Sequence, residues 1–239
     1  MKNVLIFGAS GHGSVVLDCL ERSEDYQVVG FIDSFKKKGT KNNGYEVLGS
    51  EFDLPYLIET YKIQGGIVAI GDNWTRHLLV KKILSIYPDF SFISAVHPAA
   101  IIGNNVEIGK GSVIMPGVII NANSVIGDHC ILNTKSSLDH DSIMYNYASL
   151  APGVCTGSNV ILGEGVAICL GARIIELVTV GHYAVVGASS LVIRDIPQNV
   201  LAYGNPAQII RPRSKGEPYL NWRRYSNPSQ LRLDYLDAG

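Results

Sequence analysis

From residue 102 to residue 196 the chain repeats every six positions. Stepping by six from Ile102 gives Ile108, Ile114, Ile120, Ile126, Leu132, Leu138, Met144, Leu150, Thr156, Leu162, Ile168, Ile174, Val180, Val186 and Val192. Only Thr156 departs from the large apolar type. The position four further on in each unit holds only Val, Ser, Ala or Cys, as at Val106, Ser112, Cys130 and Ala148. Neither the 3.6-residue period of a helix nor the two-residue period of a strand produces this pattern. A six-residue period is the mark of a parallel β-helix. Each unit is a short flat strand plus a turn, and stacked coils bury a core that no single unit could bury alone. Gly follows the aliphatic at positions 103, 109, 127, 157, 163, 181 and 187. These glycines read as turn positions that use φ > 0. The phase never slips, so the repeat admits no inserted loop, and three units per coil give about five coils.

Ahead of the repeat, the pattern alternates. Residues 3–7 read as a buried strand, followed by Gly8-Ala9-Ser10-Gly11-His12-Gly13 and a helical pattern through Leu20. Tyr26 to Asp33 reads as a second strand ending in an acid, 55–63 as a helix, and Ile67 to Ile70 as a third strand. Gly71-Asp72-Asn73, a helix over 74–86 and a strand over Phe90–Ile93 follow. This alternation predicts a Rossmann-like parallel sheet with helices on its faces. The expected boundaries are a domain over 1–96, the β-helix over 97–200, and a closing segment and tail over 201–239.

A glycine turn between first strand and first helix aims backbone N–H groups at an anion. Asp33 stands where dinucleotide folds put a ribose-binding acid, so NAD is one reading. Glycines that only make the turn are a second. The preferred reading is a nucleotide or nucleotide-sugar pocket, because fewer than one hundred residues make only half of a dinucleotide fold.

Bulk properties narrow the classes. The 239 residues carry a net charge of −1, which gives no field favouring nucleic acid or anionic membranes. No apolar run reaches transmembrane length and no basic-then-apolar leader opens the chain, so a cytoplasmic location is expected. Cys19, Cys130, Cys155 and Cys169 form no CxxC or CxxH pair and read as reduced packing residues, with no metal site expected.

Taken together, the GASGHG turn, Asp33, the Ile70-Gly71-Asp72-Asn73 turn and the hexapeptide repeat resemble the sugar O- and N-acetyltransferases of the hexapeptide-repeat acyltransferases. These include the sialic acid O-acetyltransferases and the enzymes acting on UDP- or GDP-linked 4-amino-4,6-dideoxy sugars, of the bacillosamine and perosamine type. The resemblance covers residues 3 to about 212 and implies a left-handed β-helix, whereas ordinary crossovers are right-handed. It also implies a homotrimer, acetyl-CoA as cosubstrate, and a sugar-nucleotide pocket lined by Gly11, His12, Gly13, Asp33, Ser34, Gly71 and Asn73.

Among six histidines, His97 precedes a proline at the domain junction, His77 reads as an exposed helical residue, and His129 and His182 occupy outward positions of the repeat. His140 differs. It projects from a coil corner with Asp139 and Asp141 on either side, where carboxylates can orient the imidazole. Acyl transfer to an amine or hydroxyl needs a base, and histidine suits neutral pH. The resemblance makes His140 the general base and Asp141 its partner. With no Gly-x-Ser-x-Gly and no Cys–His pair, direct attack is expected. Many members carry a second histidine nine residues after the base; here that position is Ser149. The histidine contact does not carry over unchanged, so a Ser149 hydroxyl contact, with Tyr145 and Tyr147 as substitutes, is expected in its place. The resemblance further implies acetyl-CoA contacts at Leu170, Gly187 and Asn205, and guanidinium chemistry makes Arg211, Arg194 and Arg213 phosphate candidates beside their reading as ordinary surface arginines. Residues 214–239, with Tyr219, Trp222, Arg223, Arg224 and Tyr225, lack the family pattern and read as a cap or a mobile tail.

Two other classes compete. One is a non-catalytic nucleotide-binding scaffold, against which the Asp-His-Asp corner argues. The other is a zinc-dependent γ-class carbonic anhydrase, whose ligand spacing His129, His140 and His182 do not provide.

Overall fold

The computed structural model describes residues 1–220. Trp222, Arg223, Arg224 and Tyr225 lie outside the described residues. The N-terminal sheet has the order β3-β4-β2-β1-β5. Its central strands are β1 (Lys2–Phe7), β2 (Tyr26–Ile32) and β5 (Gly65–Val68), which pair in parallel. A hairpin of β3 (Lys41–Asn42) and β4 (Tyr45–Gly49), which the sequence pattern does not predict, adds an antiparallel edge and pairs β4 to β2. Two residues make a weak alternation signal, and Asn43-Gly44 in the left-handed region makes the turn.

Three helices flank this sheet: α1 (Gly11–Glu21), α2 (Leu54–Tyr61) and α3 (Asn73–Ile86). The Asp72 carboxylate caps α3 by accepting from the Thr75 N–H at 2.9 Å. The expected strand over Phe90–Ile93 is reduced to a single bridge, Gly66 to Phe92. The chain then enters the β-helix one step early, because β6 (Ala95–Val96) already pairs with Val113–Ile114.

The solenoid has three faces built from two-residue strands eighteen residues apart. The first face runs from Ile101–Ile102 to Leu191–Val192, the second from Glu107–Ile108 to Thr179–Val180, and the third from Val113–Ile114 to Val185–Val186. Every contact between coils is parallel and in register, so the phase holds throughout. From Val113–Ile114 onward the six-residue apolar series and the small series are buried together in one core that continues into α1, with Val106 and Ile108 partly buried at its edge and Ile102 exposed. The result is a Rossmann-like domain followed by a left-handed parallel β-helix.

The glycines after the aliphatics work differently from the sequence expectation. The residues with φ > 0 stand three places after each aliphatic, as at Asn123, His129, Lys135, Asp141, Tyr147 and Gly153. Gly103, Gly109, Gly127, Gly157, Gly163 and Gly181 have ordinary φ values, and a Cβ on each would lie 2.4–2.6 Å from an atom of the next coil. They let the corners stack, rather than let the turn bend.

Strands Val200–Gly204 and Ala207–Pro212 form an antiparallel hairpin that extends the third face. No helix among the described residues is long and apolar enough to cross a membrane.

Candidate functional site

The corner between the second and third faces carries the N-terminal domain. Arg76, on α3, is fully buried there and uses its guanidinium as a clamp. Its N–H groups donate to the carbonyls of His129 (2.8 Å), Ile70 (2.8 Å), Gly71 (3.2 Å) and Tyr147 (2.9 Å), and to Asn73 Oδ1 (2.7 Å). The Asn73 amide donates to Val166 O at 2.9 Å and Gly165 O at 3.3 Å. Asn73 is therefore committed to holding α3 on the solenoid. No periodicity marks a buried arginine, and the sequence reading missed Arg76.

His129 belongs to this clamp and is not a surface residue. Its ring stacks on Tyr147 at 5.2 Å and meets Phe92 edge-on at 4.7 Å. Burial first, then the Arg76 charge, push its pKa down to about 3, so it stays neutral. His77 is half-buried, stacked on Trp74 at 5.1 Å, and is likewise not the exposed residue expected. His182 remains exposed, and its Nδ1 accepts the Glu164 N–H at 2.8 Å.

At the glycine turn, Gly13 is buried and packs α1 onto β1; a Cβ there would sit 2.1 Å from the Gly8 carbonyl oxygen. Gly11 is exposed at the start of α1. Asp33 holds the turn closed. Its Oδ2 accepts the Ala9 N–H at 2.9 Å, and its Oδ1 accepts those of Phe35 at 2.8 Å and Lys36 at 3.2 Å. Ser34 donates to Glu51, which pairs with Lys82 at 2.8 Å. Asp33, Ser34, Glu51 and Lys82 line one hollow with Phe35 and Leu79.

A second cavity, of about 310 Å³, runs along the third face beneath the N-terminal domain. It brings His12 and Gly71 together with Ser149 and Leu170, joining residues expected on the acceptor side to residues expected on the donor side. The His12 Nε2 is buried there with no hydrogen-bond partner among the described residues. Burial and the Arg76 charge lower its pKa to about 4.

His140 lies on another corner, between the first and second faces. Its ring is half-exposed, and Nδ1 bonds Asp141 Oδ2 at 2.6 Å. This bond, aided by the nearby carboxylates, raises the imidazole pKa. With Nδ1–H donating to a carboxylate, the lone pair falls on Nε2 of this half-exposed ring. Asp139 does not touch the ring. It accepts the His140 backbone N–H at 2.8 Å and the Asn121 amide at 2.6 Å. Asn105 donates to Asn123 at 3.2 Å, and Asn123 to Asp141 Oδ1 at 3.1 Å. This polar ladder fixes the carboxylate. It was readable in the eighteen-residue spacing of 105, 123 and 141, but the sequence analysis did not use it.

The expected cosubstrate end is only partly assembled around the cavity. Gly187 accommodates Tyr203, whose Cβ would lie 2.6 Å from an added methyl. Asn205 is exposed at the hairpin tip. Arg211 pairs with Glu217 at 2.6 Å, and that bond, with Arg213 nearby, lowers the carboxylate pKa to about 2. No three His, Cys, Asp or Glu side chains among the described residues cluster as metal ligands would.

Comparison with known proteins identifies relatives for both domains. Residues 3–83 match the PglD N-terminal domain family, and residues 99–134 match the bacterial transferase hexapeptide family (six repeats). The GDP-perosamine N-acetyltransferase of Escherichia coli is 31% identical over 219 residues, which span 85% of this chain and 94% of that protein. A crystal structure of the Caulobacter crescentus GDP-perosamine N-acetyltransferase, in complex with CoA and GDP-perosamine, is 36% identical. It superimposes with a TM-score of 0.82, covering 88% of this chain and 98% of that one. The acetyltransferase domain of PglB from Neisseria gonorrhoeae, in complex with acetyl coenzyme A, is 30% identical with a TM-score of 0.80, covering 87% and 99%.

Proposed function

Since the chain belongs to the hexapeptide-repeat acetyltransferases with a PglD-type N-terminal domain, we propose that it transfers the acetyl group of acetyl-CoA to the 4-amino group of a UDP- or GDP-linked amino-dideoxy sugar. The product would serve surface glycan biosynthesis in the cytoplasm. The observation that carries the mechanism is the 2.6 Å bond between His140 and Asp141 on an open corner. The neutral amine attacks the thioester carbonyl, and His140 Nε2 takes the amine proton. Asp141 holds the tautomer and stabilises the imidazolium that forms. The tetrahedral adduct then collapses, breaking the carbon–sulfur bond, and the departing CoA sulfur takes the proton from the His140 imidazolium and leaves as the free thiol. The sugar nucleotide is held by the Asp33–Ser34 hollow and the glycine turn, with Gly11 at its helix start. Its amine reaches the cavity lined by His12 and Gly71, while the donor arm passes Ser149 and Leu170 toward Asn205 and the arginines.

Within one chain His140 and that cavity belong to different corners, separated by a six-residue face of roughly 15–20 Å at about 3.3 Å per residue. A neighbouring copy resolves this separation, so the working unit is a homotrimer whose sites lie between subunits. Leu177, a left-handed corner residue 74% exposed two coils above His140, supplies apolar surface for that contact.

The test is CoA thiol release against a panel of nucleotide-linked 4-amino-4,6-dideoxy sugars and free sialic acid, alongside sedimentation analysis. Release with an amino sugar, abolished in His140→Ala, and a trimer in solution are expected. Release only with the hydroxylated sugar would replace N- by O-acetylation. Release undiminished in His140→Ala would remove the mechanism.

A further inference from the structure

The segment after strand Ala207–Pro212 turns back along the seam between the two domains. The Arg213 N–H donates to the Asn199 carbonyl at 2.8 Å, and its buried guanidinium reaches Glu217. The Lys215 ammonium lies over the rings of Trp74 and Tyr183, at 5.3 and 4.3 Å. Gly216 approaches the Trp74 indole so closely that a Cβ would come within 2.6 Å. These anchors deliver Tyr219 and Leu220 to the cavity described above. The Tyr219 hydroxyl donates to the Gly71 carbonyl at 3.2 Å, and the phenol stands beside Ser149.

Two observations decide what this segment does. First, the cavity keeps about 310 Å³ with Tyr219 and Leu220 in its lining, which is the size of a small-ligand site. The segment is a wall of that space and not a plug in it. Second, the solenoid side of the cavity repeats along the stack, with Pro152, Leu170 and Ala188 eighteen residues apart. A slim, mostly apolar arm fits such a groove better than a sugar ring does.

We propose that Tyr219 is a positioning residue for the acyl donor. It closes the groove beside the short Ser149 side chain, and ties the wall to the acceptor-side turn through Gly71. This inference rests on the acetyl-CoA reading given above. The Tyr219 hydroxyl takes no proton from the amine; it fixes where the thioester lies relative to the attacking group.

The test uses the full chain, Tyr219→Ala, Tyr219→Phe, and a chain ended after Arg213. Each is titrated with acetyl-CoA by calorimetry and assayed for thiol release across acetyl-CoA concentrations, with thermal unfolding as the control. The expected result for Tyr219→Ala is a rise of about tenfold in Kd and KM for acetyl-CoA, with kcat changed by less than about threefold. Tyr219→Phe should recover most of the affinity, since the ring still forms the wall of the groove, and the shortened chain should behave as Tyr219→Ala. Unchanged Kd and KM in Tyr219→Ala, or faster turnover in the shortened chain, would overturn the proposal. Wild-type protein that neither binds acetyl-CoA nor releases thiol would overturn the parent reading and this one together. Active wild type with indifferent variants would remove Tyr219 alone.

Discussion

Two corners of the same solenoid carry a histidine each, and they have opposite properties. At the corner under α3, His129 is enclosed by Phe92, Tyr147 and the Arg76 charge, and its pKa falls to about 3. Two corners further along the chain, His140 is open to solvent, bonded to Asp141, and its pKa rises. The backbone frames match: both corners place a left-handed residue three positions after the aliphatic, His129 itself in one and Asp141 in the other. The repeat therefore supplies equivalent mounts. What is packed on the mount decides whether an imidazole is enclosed and held neutral or left open to solvent and protons. A like-for-like substitution at the two corners should separate the two roles completely.

The sharpest contrast is His140→Ala, which should lower turnover by about a hundredfold or more while leaving the melting temperature unchanged. Replacing the clamp at the other corner should do the reverse. Arg76→Met strands several buried carbonyls and should cost about 3 kcal/mol or more, a fall in Tm of roughly 10 °C. Thiol release per folded molecule should survive it. Asp141→Asn should reduce kcat/KM by about tenfold and remove the carboxylate that raises the His140 pKa. The wild-type rate should rise with pH through an ionisation above the ordinary histidine value, and the variant's acid limb should move to lower pH.

Stability gives a fourth comparison. His129 and His12 have depressed pKa values, near 3 and 4, so the unfolded chain binds protons that the folded chain does not. Unfolding free energy should fall as pH drops from about 6.5 toward 4, with a slope approaching two protons. His140 works with the opposite sign, since its raised pKa adds stability below its unfolded value that is lost as pH rises. The smallest effect is expected for His129→Phe, which should change stability by about 1 kcal/mol or less and leave turnover intact. Loss of activity in that variant would mean the two corners are not independent.

The division between what sequence patterns reveal and what they hide follows the same physics. The hexapeptide series is legible because one face geometry recurs, so Ile114 through Val192 meet the same core, with Ile108 packed at its edge. The Asp-His-Asp corner is legible because an outward position with charges on both sides has no packing role. Gly163 and Gly181 were misread because a sequence shows the turn they belong to, but not the coil stacked above them. Arg76, Asn73 and His129 were missed or misread for a related reason. Their partners are carbonyls of residues 53 to 93 positions away or aromatic rings of another domain. Asn205 was drawn from a motif and Arg211 from the affinity of guanidinium for phosphate, and here Arg211 faces Glu217, six residues further along the returning segment.

That returning segment turns the solenoid into a measuring rod. Each coil is eighteen residues and raises the stack by one strand spacing, about 4.8 Å. The Val200–Pro212 hairpin sits on the last rung, whereas Gly71 is fixed lower down by α3 and its clamp. A chain one coil longer would lift the hairpin by that increment and carry Tyr219 out of reach of the Gly71 carbonyl, now 3.2 Å away. The number of rungs and the length of the returning strap are thus set against each other. Adding a coil would require roughly two more residues of strap at about 3.3 Å each to restore the same landing point.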